Sequence, residues 1–391
     1  MPPEHRLRVL LVPSAYYPHV GGIEELTRQL ALHLQARGHR VLVLTNQWPA
    51  QTASRELLDG VAVRRIPMEL PAASPHGLAR FAARGPRSAA QLLSTVRRFR
   101  PDVIHLQGAG PNAAYFAALR RLIPAPVVLT TQGEYGFDAH GVFERSLTLR
   151  TGLRHLLRRA DAVTACSQFV LDELGADGEV VPNGVDPRDF EVARPEVNGL
   201  GRYVFAAARL AEQKGLDVLL HAFTAAPLDG RRLVIAGDGP ERASLERLAG
   251  TLGLDERVTF LGAVGRSQLA SVLRGSDVFA FPSRREPFGI ALLEAMAAEV
   301  PAVATRAGGI PEFARDGENA LLVPPDDAAG LASALVRLVR EPELCARLVR
   351  GGRATTSLLD WDRLTPRYEQ VYRRVMRPEG VPSIDRVRDD D

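Results

Sequence analysis

The sequence predicts an α/β protein built of two doubly wound, parallel-sheet domains that face a shared cleft. Three observations carry this. Apolar runs of four to six residues alternate with helical periodicity, the pattern of strands joined by crossover helices. The alternation starts afresh after a polar, Pro- and Gly-marked stretch at residues 194 to 201 that reads as a linker. The length, 391 residues with 46% apolar and 24% charged content, suits two soluble domains, each able to bury a core.

In the first series, strands are expected near residues 7 to 12, 40 to 45, 61 to 66, 103 to 106, 126 to 130, 161 to 165 and 179 to 182, with helices between most of them. The second series runs through 202 to 208, 232 to 236, 257 to 261, 277 to 281, 301 to 304 and 320 to 323. It ends in helices near 327 to 340, 342 to 351 and 361 to 376. In the last of these, Trp361, Leu364, Tyr368, Val371, Tyr372 and Val375 recur at helical spacing and require a surface to dock on. The expected division is a domain over 1 to 198, a second over 199 to 360, a helix over 361 to 376 that packs back on the first, and a disordered tail over 377 to 391. The three aspartates that close the tail read as a solvated end rather than a metal site.

Composition excludes several classes. Cys166 and Cys345 fall in different halves without metal-ligand spacing, which argues against a disulfide framework or a zinc site and for a reducing cytoplasm. No run approaches the roughly 20 apolar residues of a membrane span, and the apolar run at 7 to 12 is too short for a signal peptide. The net charge of +3 is unevenly spread: residues 78 to 160 carry 13 arginines against four acids, and residues 161 to 200 carry two against nine. The first stretch reads first as ordinary solvated helix faces, and is also a candidate patch for anionic lipid or a phosphate-bearing acceptor. No nucleic-acid motif accompanies it.

Chemistry gathers at strand ends. Of 49 basic side chains besides histidine, one alone is lysine: Lys214, in the segment from Arg209 that follows the strand at 203 to 208 and precedes a helical run. Loops at that end of open α/β sheets bind ligands. An ammonium suits phosphate as a point charge and a guanidinium suits it as a fork, so Arg209 and Lys214 offer one of each. Gly21 and Gly22 stand between the first strand and a helix over about 23 to 37, where backbone amides and the helix dipole can hold an anion; a simple turn explains them as well. Gly308 and Gly309 repeat the design in the second half, so a diphosphate held between the two loops is the expectation. The run EPFGIALLEAMA opens at Glu286 and places Glu294 eight residues on. If a helix starts near Gly289, both carboxylates can face one cleft edge, where they suit sugar hydroxyls.

On these residues the chain resembles, over essentially its whole length, the retaining glycosyltransferases of family 4, which have the two-domain GT-B fold. The run from Glu286 to Glu294 looks like the family's E-x7-E motif, and VPNGVD (181 to 186), IAGDGP (235 to 240) and SDVFAFPS (276 to 283) are further family-like stretches. The resemblance implies a hexosyltransferase moving a sugar from a nucleoside-diphosphate sugar, UDP- or GDP-linked, to a hydroxyl on a glycan, glycolipid or small-molecule aglycone. The catalytic set is then Glu286 on the transferred sugar with Arg209 and Lys214 on the diphosphate. Gly21, Gly22, Gly237, Gly239, Phe288, Gly289, Ile290, Glu294 (on the ribose), Gly308 and Gly309 complete the donor site. Tyr16, Tyr17, His19, His105, Gln132 and Glu134 fall on the acceptor side, although His105, at a strand end, reads equally well as a buried structural histidine. One position departs: where members often carry a histidine, in a Thr-x-His-like context, this chain has Gln132, which cannot act as a base; Glu134 and His140 lie close in sequence.

Two cationic side chains plus two helix N-termini can stabilise a departing diphosphate, so neither metal nor cofactor is expected. The expected partners are the nucleotide sugar and the acceptor, with an anionic membrane surface against the N-terminal domain as a further one and no nucleic acid. The expected location is the cytoplasm, either free or on the inner face of the membrane. Two alternatives stay open: a sugar-nucleotide 2-epimerase on a similar fold, and a non-catalytic nucleotide-sugar-binding protein, which has no need of the two glutamates. A dinucleotide oxidoreductase is excluded because Gly21-Gly22 lacks the Gly-x-Gly-x-x-Gly order.

Overall fold

A computed structural model describes residues 6–18, 21–71, 74–133, 142–191 and 199–376. The expected linker, through residue 198, and the expected tail fall outside these residues. The first sheet contains β1 (Arg8–Pro13), β2 (Arg40–Asn46), β3 (Arg55–Leu58), β4 (Val61–Ile66), β5 (Val103–Gln107), β6 (Val127–Thr131), β7 (Ala162–Ala165) and β8 (Glu179–Val180). Its order is β3-β4-β2-β1-β5-β6-β7-β8. The second sheet contains β9 (Tyr203–Ala207), β10 (Arg232–Ala236), β11 (Val258–Gly262), β12 (Val278–Phe281), β13 (Ala302–Thr305) and β14 (Leu321–Val323), in the order β11-β10-β9-β12-β13-β14.

Every pairing is parallel except β3 with β4. That edge strand escapes the apolar-run pattern because its side chains alternate between intermediate and exposed. The legible signal was the turn: Asp59 and Gly60 both have positive φ, the two-residue hairpin geometry that Asp-Gly favours. The other strands read as apolar runs because helices cover both faces of each sheet.

The helices are α1 (Gly22–Ala36), α2 (Pro75–Phe99), α3 (Pro111–Leu119), α4 (Val142–Arg145), α5 (Leu147–Arg159), α6 (Gln168–Leu174) and α7 (Arg188–Glu191). After β9 come α8 (Leu216–Ala225), α9 (Arg242–Thr251), α10 (Arg266–Arg274), α11 (Ile290–Ala297), α12 (Ala328–Arg340), α13 (Pro342–Leu358) and α14 (Trp361–Met376). Among the described residues, no helix is long and apolar enough to cross a membrane.

Two features position the site. In each sheet the strand order reverses at its first strand, beside β1 and beside β9, so the loops leaving these strands open into the crevice where such sheets bind ligands. The second feature is α14, which lies on the first sheet: Trp361, Leu364, Tyr368, Val371 and Tyr372 pack with Leu26, Leu30 and Leu34 of α1 and with Val9 and Leu11 of β1. Glu369 anchors the helix there, its carboxylate taking hydrogen bonds from Arg37 Nε (2.5 Å) and Nη2 (3.0 Å) and lying 2.8 Å from His39 Nε2.

Candidate active site

After β9 the chain turns through a three-residue 3-10 segment, Glu212–Lys214, into Gly215. Gly215 has φ +61°, and a side chain there would collide with the Pro282 carbonyl, so glycine lets this loop lie against the end of β12. That approach brings Lys214 Nζ to 2.6 Å from Glu286 Oε2 and 6.0 Å from the Phe281 ring centre. Ser283 Oγ donates to the same carboxylate oxygen at 3.3 Å. Glu286 is only 7% exposed, a position a carboxylate tolerates when its charge is matched and its oxygens are bonded. Arg209 shares the loop, with its side chain exposed.

Glu294, 8% exposed, has a different partner. Gly289, at φ +112°, caps α11 and leaves its Leu292, Leu293 and Met296 in the core, while Glu294 pairs with Arg266 from the first turn of α10. Arg266 also lies 3.3 Å from Asp189 and 3.8 Å from Glu25, with its guanidinium 5.1 Å from the centre of the Phe190 ring. Burial pulls its pKa down, but Glu294, Glu25 and Asp189 outweigh this and hold it above the ordinary arginine value. Nothing in the sequence distinguished Arg266 from the other arginines, because its acids come from distant segments.

The glycines serve several purposes. A side chain on Gly22 would sit 3.3 Å from Ile290 Cδ1, so the first loop of the N-terminal domain abuts the first residue of α11. Gly237 and Gly239 could not carry side chains without striking the carbonyls of Ala208 and Leu210; they let the loop after β10 pack on the Arg209 loop. Gly308 and Gly309 likewise face the carbonyls of Glu286 and Pro287. The Gly309 amide donates to Glu286 O (3.0 Å), and a 3-10 turn of only three residues, Ile310–Glu312, follows. The second glycine loop therefore braces the Glu286 segment and has already committed one of the amides expected for the diphosphate. Phe288 is buried against Phe313, with ring centres 4.8 Å apart.

On the acceptor side the placements divide. Tyr16 is buried, and the Tyr17 hydroxyl donates to Glu25 (2.5 Å). Gln132 forms a reciprocal amide pair with buried Asn183, at 3.0 and 2.9 Å, which ties the end of β6 to the VPNGVD stretch. Of the two readings of His105, the buried structural one fits its placement, against the acceptor-side one. It is 0% exposed, with Nδ1 2.7 Å from Tyr372 Oη and Nε2 2.5 Å from Thr130 Oγ1, and burial pushes its pKa down to about 3. A neutral imidazole thus helps hold α14 to the sheet, with both ring nitrogens engaged by protein hydroxyls. His19, Glu134 and His140 lie outside the described residues.

The domains meet directly at these loops. Ser167 Oγ donates to Pro287 O (2.6 Å), and the Glu312 carboxylate accepts the amides of Gln168 and Phe169 at 2.9 Å each, capping α6 of one domain from the other. Neither contact was legible beforehand, since each joins residues more than a hundred positions apart. One Asp-x-Asp spacing, Asp360 and Asp362, belongs to a helix start: Asp360 Oδ1 accepts the Asp362 amide at 2.8 Å. Among the described residues, no group of three or more His, Cys, Asp or Glu side chains is arranged to hold a metal.

Comparison with known proteins matches residues 20–189 to the family described as Glycosyltransferase Family 4 and residues 188–355 to Glycosyl transferases group 1. The chain is 32% identical over 387 residues to the phosphatidyl-myo-inositol mannosyltransferase of Mycobacterium leprae, covering 94% of this chain and 97% of that protein. Among solved structures it resembles sucrose-phosphate synthase from Thermosynechococcus elongatus, with a TM-score of 0.77, 23% identity and coverage of 94% of this chain and 98% of that one. It also resembles Anabaena HepE in complex with UDP and glucose, with a TM-score of 0.75, 20% identity and coverage of 94% and 100%.

Proposed function

The chain belongs to glycosyltransferase family 4 and has the GT-B fold, and from that premise we propose that it is a retaining, metal-independent hexosyltransferase using a UDP- or GDP-linked sugar. The observation that carries the reading is the pair of buried glutamates of the E-x7-E run, each ion-paired with a cation from another element, Glu286 with Lys214 and Glu294 with Arg266. Such a site has charge ready where the reaction develops it. As the bond from the anomeric carbon to the diphosphate breaks, negative charge grows on the leaving oxygen, and Lys214 with Arg209 stabilises it more than it stabilises the bound donor.

Lys214 carries three N–H donors and gives one to Glu286. It can therefore hold the carboxylate against the sugar hydroxyls and still reach the diphosphate. Glu286 is engaged by Lys214 and Ser283, and Gln132 cannot take a proton. We therefore assign no side chain as nucleophile or base. The acceptor hydroxyl attacks from the face the diphosphate leaves, the new bond to the anomeric carbon forms as the old one breaks, and the leaving phosphate oxygen takes the proton.

For the acceptor we propose a lipid-linked molecule, met on the cytoplasmic face of the membrane. Arg80, Arg84, Arg87, Arg97 and Arg98 are exposed along α2 of the N-terminal domain, and the mycobacterial relative is named a phosphatidyl-myo-inositol mannosyltransferase. A panel of nucleotide sugars tested by thermal shift identifies the donor, since a ligand at 100 times its dissociation constant adds about 2.7 kcal/mol. Product NMR then checks the anomeric configuration. Inversion, or stabilisation by no UDP- or GDP-sugar, rejects the reading.

A further inference from the structure

Three carboxylates from three elements meet on one guanidinium at the seam between the domains. Arg266 of α10 reaches Glu294 of α11 in its own domain, Asp189 of α7, and Glu25 in the first turns of α1. The N-terminal side of this cluster is itself bonded. Glu25 takes the Tyr17 hydroxyl at 2.5 Å, the Gln29 amide at 2.8 Å and an Arg28 nitrogen at 3.3 Å, and the same Gln29 amide nitrogen lies 2.9 Å from Asp189. A chain of contacts therefore runs from Tyr17, beside the Gly21-Gly22 loop, through Glu25 and Arg266 to Glu294, hydrogen-bonded at its two ends and joined in the middle by the 3.8 Å ion pair of Glu25 with Arg266.

We infer that Arg266 is a positioning residue that makes donor binding at Glu294 depend on the opposite domain. Two consequences follow from its charge and shape. Because Arg266 occupies Glu294 Oε1, it fixes the plane of that carboxylate and leaves the second oxygen to accept from the donor. It also places a positive charge between carboxylates that otherwise face one another across the seam, where unscreened like charges would drive α1 away from α11 and part Gly22 from Ile290. Arginine is suited to this role: its planar fork reaches several carboxylates at once, which a lysine cannot match.

The inference rests on Glu294 as a donor residue, and the experiment separates the two claims. UDP and GDP are each titrated by calorimetry into wild type, Glu294→Gln, Arg266→Gln, Arg266→Lys, Glu25→Gln and the Arg266→Gln/Glu25→Gln double variant, with Tm recorded for each. The expected result is that Arg266→Gln weakens nucleotide binding roughly tenfold and that Arg266→Lys recovers part of it. Glu25→Gln, in the other domain, should weaken binding several-fold, and the double variant should bind no worse than Arg266→Gln alone, the non-additivity of residues acting in one network. In turnover, Arg266→Gln should raise KM for the donor with kcat nearly kept, as loss of uniform binding does. If Glu294→Gln weakens binding but Glu25→Gln does not, the link to the other domain is refuted while the donor assignment stands. If Glu294→Gln binds as wild type does, both fall. Additive losses in the double variant, or a loss that follows Tm alone across the series, also overturn the inference.

Discussion

Lys214 Nζ lies 2.6 Å from Glu286 Oε2, so the single lysine of the chain closes on the first carboxylate of the E-x7-E run, 72 residues away. The pair joins the loop leaving β9 to the loop leaving β12, neighbours at the switch point of the second sheet. It gives the two cations of the β9 loop different structural weights, which leads to the first prediction.

Lys214→Ala and Arg209→Ala should each lower turnover about a hundredfold, since losing a transition-state charge partner costs on the order of 3 kcal/mol. Their stabilities should differ. Lys214→Ala leaves a buried carboxylate unmatched and lowers Tm, whereas Arg209→Ala lowers it less, because whatever an exposed guanidinium pairs with is screened by solvent. Adding Glu286→Gln to Lys214→Ala should restore part of the lost Tm without restoring turnover. Near-normal turnover in both single variants contradicts the diphosphate assignment.

Glu286→Gln should lower kcat while leaving donor binding within about tenfold, and Glu294→Ala should weaken donor binding itself. Steady-state kinetics with the identified donor separate the two. Chelator should leave the rate unchanged; a loss reversed by magnesium or manganese refutes metal independence.

Acid should weaken the N-terminal domain through two groups. Burial holds the His105 pKa down at about 3 against an ordinary 6.5, so in the unfolded chain it takes a proton that the folded chain refuses. Its contribution is complete above pH 6.5 and is lost as pH falls toward 3. Burial raises the Glu369 pKa, but His39 and Arg37 outweigh it and hold it at about 2 against 4.5, so its contribution is complete above pH 4.5 and is lost toward pH 2. His105→Gln should flatten the dependence of Tm on pH between 6.5 and 4.5, and Glu369→Gln should flatten it only below. Parallel curves for wild type and both variants rule out these assignments.

Wild type should sediment with anionic vesicles at low salt and be released at high salt, since each basic residue near such a surface contributes about 1 kcal/mol. Changing Arg80, Arg84, Arg87, Arg97 and Arg98 to serine should abolish the binding. Arg80 and Arg84 share Glu69, at 3.1 and 2.8 Å, so Arg87, Arg97 and Arg98 are expected to dominate. Absence of salt-sensitive binding leaves the acceptor soluble.

What sequence reading recovered was periodic or local. The parallel strands announced themselves because a strand covered on both faces is an unbroken apolar run, and the glycine loops and the two glutamates because their spacing along the chain is the signal. The hairpin strand β3 lacked such a run, and only its Asp59-Gly60 turn marked it. His105 could be read from sequence either as an acceptor-side residue or as a buried one, and what decides for burial, against Thr130 and Tyr372, is α14 returning from 267 residues away.

The sequence by itself determined the fold class, the two carboxylates, the lone lysine and a side chain at Gln132 that cannot take a proton, because residue identity and spacing set these. Tertiary structure alone decided the partners: Lys214 with Glu286, Gln132 with Asn183, Glu312 on the end of α6, and Arg266 among Glu25, Asp189 and Glu294. Charge pairing acts over a few ångströms in space and carries no period along the chain. Which acid a given arginine meets is therefore settled only when the sheets bring their strand ends together and the two domains close on each other.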